Sequence, residues 1–369
     1  MSRCGCSSTS RYEPIQLVDQ LISVIPHSRP SITAGDIRAV TGVLRRGHLA
    51  QGEEVRRFEA EAGGFLAFPP GVAVSSGTAA LHLALLALDI KPGDEVILPS
   101  YVCVAPLHAL EYVGATPILA DVDPDGFNID PDDAKARLTP RTRAMIVPHL
   151  FGLPAELDPL LPLGVPILED CAQAFSAEYR GRLVGTMGTL SVVSFYATKL
   201  MTTGEGGMVF GRDTRLLRRL QDLRDYDERR EHRLRFNYKL TDMQAALGRS
   251  QLRRFPATLT RRRTIASRYC GRWRHLPVRL PVPADDRTHA YHRFVLGLQS
   301  SAVRAASRLA ALGITARRPV FRPLHHLLGQ EGFPGTDEVF RHALSVPIYP
   351  DLTEREERCV TDAVLSLFA

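Results

Sequence analysis

Val165-Pro-Ile-Leu-Glu-Asp170 and Leu190-Ser-Val-Val-Ser194 are short apolar runs ending in polar residues, and Phe195-Tyr-Ala-Thr-Lys199-Leu-Met-Thr-Thr-Gly-Glu-Gly-Gly207 follows the second. Such runs read as buried strands. The first places Asp170 at the carboxyl edge of its strand, where open α/β sheets bind ligands. Working outward, strands are expected at Val72–Ser75, Glu95–Pro99, Thr116–Asp121, Arg143–Val147 and Gly207–Phe210. Helical patterns at Thr78–Leu88, Pro106–Val113 and Pro131–Leu138 separate them. This alternation predicts an α/β fold, with a mainly parallel sheet flanked by helices.

Toward the amino end, Ile37, Val40, Val43 and Leu44 recur at helical spacing within Ser31–Arg46. After Gly211 the pattern changes. Leu240–Phe255 and Thr258–Arg274 read as two helices, His289–Leu298 as a strand, Ala302–Leu312 as a helix stopped by Gly313, and Thr353–Phe368 as a closing helix. The expected organisation is a tail over residues 1–30, a large domain over 31–250 and a smaller C-terminal α+β domain over 251–369.

The 369 residues carry a net charge of +6, almost all of it from scattered arginine, whereas a nucleic-acid binder concentrates its basic charge on one helix or stripe. Leu81–Leu88 is too short to span a bilayer and runs into Asp89, and Met1–Arg11 has no apolar signal core; we expect a cytoplasmic protein without membrane contact. The six cysteines form no Cys-x-x-Cys pair and argue against a disulfide framework. Cys4-Gly-Cys6 lacks a second ligand pair to close a metal site, so no metal is expected.

Only Lys91, Lys135, Lys199 and Lys239 are lysine in this arginine-rich chain. A lysine after a β-run and before a glycine-rich turn is held against backbone, and a lysine amine forms a Schiff base with a carbonyl where arginine cannot. Asp170 fits two roles, a helix cap or the carboxylate that keeps a pyridine nitrogen protonated. Ser75-Ser-Gly77-Thr78-Ala lies between a strand and a helix, so its backbone N–H groups suit either a plain N-cap or a phosphate cradle, with Ser194 adding a hydroxyl. No phosphate-loop or dinucleotide fingerprint is present.

Ser75-Ser-Gly-Thr-Ala-Ala-Leu81, Pro92-Gly-Asp-Glu-Val96, Glu169-Asp-Cys-Ala-Gln173, Thr198-Lys199 with Thr203-Gly-Glu-Gly-Gly207, and Asn237-Tyr-Lys-Leu-Thr-Asp-Met-Gln-Ala-Ala-Leu247 stand in order at matching distances. Together they resemble the DegT-type sugar aminotransferases, fold-type-I enzymes that use pyridoxal 5′-phosphate. The likeness runs from about Arg29 to the C-terminus. It implies that Lys199 is the Schiff-base lysine and proton shuttle, that Asp170 pairs with the pyridine nitrogen, and that Gln173 lies near the phenolic oxygen. It implies that Gly77, Thr78 and Ser194 bind the phosphate, and that Asn237 reaches the cofactor of a partner subunit in a homodimer with shared active sites. Two departures stand out. Pro99-Ser-Tyr-Val-Cys103 puts a cysteine where the family has a ring-stacking aromatic, which leaves Tyr101 and Cys103 as candidates against the cofactor ring. Ala316-Arg-Arg-Pro-Val-Phe-Arg-Pro-Leu-His325 lacks the family's His-Tyr pair, and Arg317, Arg318 and Arg322 are candidates to meet a carboxylate or phosphate instead.

The implied reaction moves an amino group from glutamate or glutamine to a keto-sugar, nucleotide-linked, with a cyclitol ketone as the alternative acceptor. A sugar dehydratase of this fold replaces the lysine with histidine, so Lys199 argues against it. Lys199, Asp170 and Gln173 together argue against a non-catalytic regulator. Arg318 and His325 are candidate substrate contacts, as are Arg229 and Arg230 in the basic run Arg224–Arg235 before Asn237.

Overall fold

The computed structural model describes residues 24–368, so Cys4, Cys6 and most of the expected tail lie outside the described residues. The main sheet has seven strands: β1 (Val72–Val74), β2 (Glu95–Pro99), β3 (Thr116–Ala120), β4 (Thr142–Pro148), β5 (Ile167–Asp170), β8 (Leu190–Ser194) and β9 (Gly207–Phe210). A two-residue hairpin, β6 (Glu178–Tyr179) and β7 (Arg182–Leu183), projects between β5 and β8. The order across the sheet is β1-β9-β8-β5-β4-β2-β3. Pairings from β8 through β5, β4 and β2 to β3 are parallel, and β9 runs antiparallel to both β8 and β1. The reversal into β9 is made by the Thr203–Gly207 turn. Gly204 and Gly206 have φ of +85° and +154°, and a Cβ on Gly206 would lie 2.5 Å from Thr203 Oγ1. Only glycine takes such angles freely.

The pleat divides the buried residues between two faces. Val72 and Val74 join a core with α3 (Gly77–Ala87), α4 (Ala105–Val113) and α6 (Thr214–Arg224), while Ala73 joins one with α2 (Glu53–Phe65) and the first half of α7 (Asp242–Trp273). The α1 helix (Ala34–Arg46) begins with a capping box between Thr33 and Asp36, and α5 (Pro131–Ala136) covers β3 and β4. Beyond α7, the antiparallel pair β10 (Phe294–Gly297) and β11 (Ala343–Val346) packs with α8 (Ala302–Ala311) and α11 (Glu354–Leu365) around Tyr269, Trp273 and Phe294. Two short helices, α9 (Leu324–Leu328) and α10 (Pro334–His342), lead back toward β2 and β3.

Three expectations are corrected. The two helices expected over Leu240–Phe255 and Thr258–Arg274 are one, with Pro256 inside it. Proline removes a backbone donor there, yet Leu252, Phe255 and Leu259 are held in one core and Ile265, Tyr269 and Trp273 in another. That burial on both sides outweighs the lost bond. The strand expected over His289–Leu298 is confined to Phe294–Gly297, because Arg262 Nη1 takes the carbonyls of Tyr291 (3.1 Å) and His292 (3.4 Å) that a ladder would use. Helices α2 and α6 were not expected at all. They are fixed to each other and to β1 by a buried pair, in which Arg224 Nη1 donates to Glu59 and to Ala73 O (2.8 Å), while Ala73 N donates to Glu59 Oε1 (2.9 Å).

Removing one member of a buried ion pair strands the other charge, at about 3–5 kcal/mol. Arg224→Ala is therefore expected to lower unfolding stability by about that amount, measured by urea titration. A loss under about 1 kcal/mol, the range of exposed pairs, would mean that the pair does not hold α6 in place.

Candidate active site

The carboxyl ends of β1, β2, β5 and β8 converge on one cavity. It is lined by Ser76, Gly77, Thr78, Leu81, Cys103, Ala105, Asp170, Ala172, Val192, Val193, Ser194, Tyr196, Lys199 and Glu205. Ser76 caps α3 by accepting from Ala79 N at 3.0 Å, and Ala80 N bonds Ser76 O. The next two N–H groups, of Gly77 and Thr78, belong to the first turn, which has no intrahelical acceptor. A Cβ on Gly77 would come 2.8 Å from Ser194 Cβ, so only glycine lets the helix start approach the end of β8 this closely. The result is a cradle of backbone donors, a hydroxyl and a helix dipole, which suits a phosphate.

Lys199 follows β8 in a tight turn, its N–H donating to Tyr196 O at 2.9 Å. Thr203 N and Thr202 Oγ1 both donate to Phe195 O, at 2.9 and 3.1 Å, and Gln244 Nε2 donates to Glu205 O at 2.8 Å. These bonds fix the loop that carries the amine. Burial lowers the Lys199 pKa; Cys103 and Asp170 oppose the shift and Arg293 reinforces it. Burial raises that of Asp170, against the Ala172 N–H (3.0 Å to Oδ1) and the charges of Lys199 and His149.

Beneath Asp170 lies a buried support that the sequence did not signal as such. His149 Nδ1 accepts from Ala155 N at 3.0 Å, so its Nε2 carries the proton and donates to Glu169 Oε2 at 3.1 Å. Glu169 also accepts from the backbone of Gly185 (2.7 Å), Met187 (2.8 Å) and Gly188. The carboxylate thereby ties the turn before β8 to β5, the two strands that carry Ser194 and Asp170. In the sequence Glu169 stood only as the first residue of the Glu169–Gln173 block, with no role of its own.

The remaining candidates are distributed. Cys103 lines the cavity and is exposed. Tyr101 does not line it; the ring is fully buried and packs edge-on to Phe151, 6.3 Å between centroids. Gln173 Oε1 accepts from Phe151 N at 3.0 Å. Asn237 is exposed, on the segment whose Tyr238 O accepts from Ser75 N at 2.8 Å. Within the basic run, Arg224 and Arg235 are bound to Glu59 and Asp222, Arg229 bonds Asp225 O at 3.4 Å, and Arg230 is exposed. Arg318 lies 3.9 Å over the Phe340 ring, and Arg322 donates to His326 O at 2.9 Å. His325 is buried away from the cavity lining; Ser100 Oγ lies 2.6 Å from Nδ1 and Asp337 Oδ1 lies 3.3 Å from Nε2.

A model of the DegT/DnrJ/EryC1/StrS aminotransferase family matches residues 30–365. The chain belongs to this family. It is a pyridoxal-phosphate-dependent aminotransferase. It is 34% identical to the spore coat polysaccharide biosynthesis protein SpsC of Bacillus subtilis (strain 168), over 92% of this chain and 96% of that protein. The crystal structure of the aminotransferase TlmJ from Streptoalloteichus hindustanus superposes with a TM-score of 0.87 at 31% identity, covering 94% of this chain and 100% of that one. The PLP form of Spr1654 from Streptococcus pneumoniae gives 0.88 at 25% identity, covering 93% and 98%, and the sugar aminotransferase CalS13 from Micromonospora echinospora gives 0.86 at 31%, covering 93% and 99%. The cavity fits this cofactor. The donor cradle at Gly77, Thr78 and Ser194 matches a phosphate, and a buried carboxyl and a depressed amine stand in the same cavity.

Proposed function

We propose that this enzyme transfers an amino group from glutamate or glutamine to a keto-sugar, nucleotide-linked, in the making of an amino-sugar for a polysaccharide or antibiotic. The observation that carries the chemistry is the shared cavity of Lys199, Asp170 and the α3 amino end. The sugar is supported by the CalS13 and SpsC relatives.

When bound, pyridoxal phosphate supplies an aldehyde that joins amines and a ring that accepts the electrons of a broken Cα–H bond. In this reading Gly77, Thr78 and Ser194 hold the phosphate, and Asp170 holds a proton on the pyridine nitrogen. Gln173, its Oε1 engaged by Phe151, directs its NH2 donors toward the phenolic oxygen. Cys103, which lines the cavity, would lie against the ring. Lys199 Nζ would take the α-proton of the donor as general base and give it back, as general acid, on the far side of the C–N linkage. Burial lowers its pKa, which favours the free amine over the ammonium.

We also read a cytoplasmic homodimer in which Asn237 reaches the partner's cofactor and Arg229 and Arg230 flank the acceptor. Exposure of Asn237 and of the apolar Ile37, Leu44 and Leu49 supports that reading. No helix among the described residues is long and apolar enough to cross a membrane. A two-domain reading is supported by two apolar cores that meet along α7, where Leu259 joins the first and Ile265 the second.

The test offers the enzyme glutamate or glutamine with a nucleotide-linked keto-sugar, the free keto-sugar, or a cyclitol ketone, and follows amine product by mass spectrometry. Turnover is expected with the nucleotide-linked sugar. Turnover with the cyclitol alone would replace the keto-sugar reading.

A further inference from the structure

We propose that His325, His326 and Asp337 form a zinc-class divalent metal site that ties α9 to α10, outside the active cavity. The sequence expectation of no metal concerned Cys4 and Cys6, and these three residues are a separate set. The site does not rest on the proposed amine transfer.

The three ligand atoms lie within 4.8 Å of one another. Asp337 Oδ1 is 3.3 Å from His325 Nε2 and 3.0 Å from His326 Nε2. A tetrahedral ion bound at about 2.1 Å holds its ligand atoms about 3.4 Å apart, so one ion fits between the three once the imidazoles draw slightly together. Two imidazoles with one carboxylate suit zinc and its transition-metal neighbours. Magnesium and calcium take shells of oxygen.

Helix geometry alone does not bring the two rings together. Side chains at i and i+1 do not face each other on a helix. Yet the His325 and His326 ring centroids are 4.2 Å apart, and both Nε2 atoms face one oxygen of Asp337. Each ring is held in place. His325 stacks on Phe333 at 4.7 Å, and His326 meets Phe340 edge-on at 5.3 Å. His325 is buried, with Ser100 Oγ 2.6 Å from its Nδ1. A metal-binding imidazole ordinarily gives its other ring proton to such a partner, which fixes the tautomer that leaves Nε2 for the metal.

The Asp337 carboxylate is kept for the imidazoles. Arg341, one turn on, donates to Asp337 O at 3.1 Å and pairs with Glu338 at 3.8 Å. Among the described residues no lysine or arginine pairs with that carboxylate. The cleft beside the three is lined by the exposed Gln330 and Glu331, so water reaches the fourth coordination position.

The surroundings give the ion a task. Leu324 N and His325 N donate to Ser100 O and Oγ, at 2.9 and 3.2 Å, just after β2. Gly335 N, Thr336 N and Thr336 Oγ1 donate to the Asp121 carboxylate, at 2.8, 2.7 and 2.7 Å, just after β3. Each short helix is thus moored to the sheet separately, and residues 329–332 between them are exposed. An ion held by α9 on one side and α10 on the other fastens the two directly.

The experiment takes untagged holoenzyme, strips it with a chelator and adds zinc chloride alone. Bound zinc is counted after gel filtration, affinity is read by calorimetry, and melting is followed with and without the metal. The wild type is expected to take up one equivalent per chain and to melt higher with zinc than without it. His326→Ala and Asp337→Asn are each expected to weaken binding by more than about 100-fold, because loss of a ligand exceeds the loss of an outer partner; Ser100→Ala, which removes such a partner, is expected to weaken it about tenfold. All three are expected to keep the visible cofactor band, which reads the fold independently of zinc. Cys4→Ser combined with Cys6→Ser is expected to retain the equivalent. A wild type that takes up no zinc, or zinc uptake unchanged in His326→Ala and Asp337→Asn, overturns the site. So does loss of the equivalent in the double cysteine variant, which assigns the ion to the amino-terminal residues. Zinc that binds without raising the melting temperature overturns the fastening of α9 to α10. None of these outcomes bears on the amine transfer.

Discussion

Lys199→Ala is expected to lower turnover by at least about 10⁴-fold, because the proposed function gives one amine two tasks. It is the only cavity-lining lysine, and its backbone is locked by the Tyr196 carbonyl and the Phe195–Gly207 loop. Alanine removes the nucleophile that makes the covalent link to the cofactor and the base that moves the α-proton. It leaves the α3 cradle and Asp170 in place, so the variant retains cofactor through dialysis while its visible band differs from that of the wild type. Small primary amines added to the medium are expected to restore a measurable part of the rate, since they replace the missing group without its positioning. Lys199→Arg keeps a cation but cannot form the bond and is not rescued. A Lys199→Ala enzyme within about tenfold of the wild type would place the general base elsewhere, since such proton transfer ordinarily contributes at least about 10²-fold.

The parts legible in the sequence were those where local chemistry and fold coincide. Asp170 and Ser194 end apolar strands, and Gly204 and Gly206 sit where the chain must reverse with positive φ. A pattern of that kind is read one strand at a time. What stayed hidden depends on partners distant along the chain. Pro256 looked like a helix break because the cores that bury Phe255 and Leu259 on one side and Tyr269 and Trp273 on the other are assembled from other segments. Arg224 looked like one more surface arginine in a basic run, and only the approach of α2 makes it the counter-charge of Glu59. Arg293 gave no signal either; it sits in a stretch read as a strand, and its buried Nη1 lacks a partner among the described residues, which no spacing reveals. Between Tyr101 and Cys103 the sequence offered no choice; Tyr101 is fully buried, and Cys103 lines the cavity.

Asp170→Asn separates a catalytic carboxylate from a structural one. Asparagine keeps the size and keeps an oxygen for the Ala172 N–H, which now bonds Asp170 Oδ1 at 3.0 Å. It removes only the charge. Burial raises the Asp170 pKa in the folded state, so folding binds a proton between the unfolded value, about 3.9, and the raised one. A group of that kind costs stability as pH rises through this window, because the unfolded chain releases the proton more readily than the folded one. At neutral pH the cofactor-free Asp170→Asn protein is therefore expected to melt no lower than the wild type. Its turnover is expected to fall about 10³-fold, because a neutral amide does not hold the pyridine nitrogen protonated, and electrostatic contacts of this kind are worth about that much. Scanning calorimetry of the cofactor-free protein and steady-state rates of the loaded one read the two effects separately. If stability and rate fell together, Asp170 would be a helix-capping residue of the Cys171–Gln173 turn, and the ring would have to draw its counter-charge from another group.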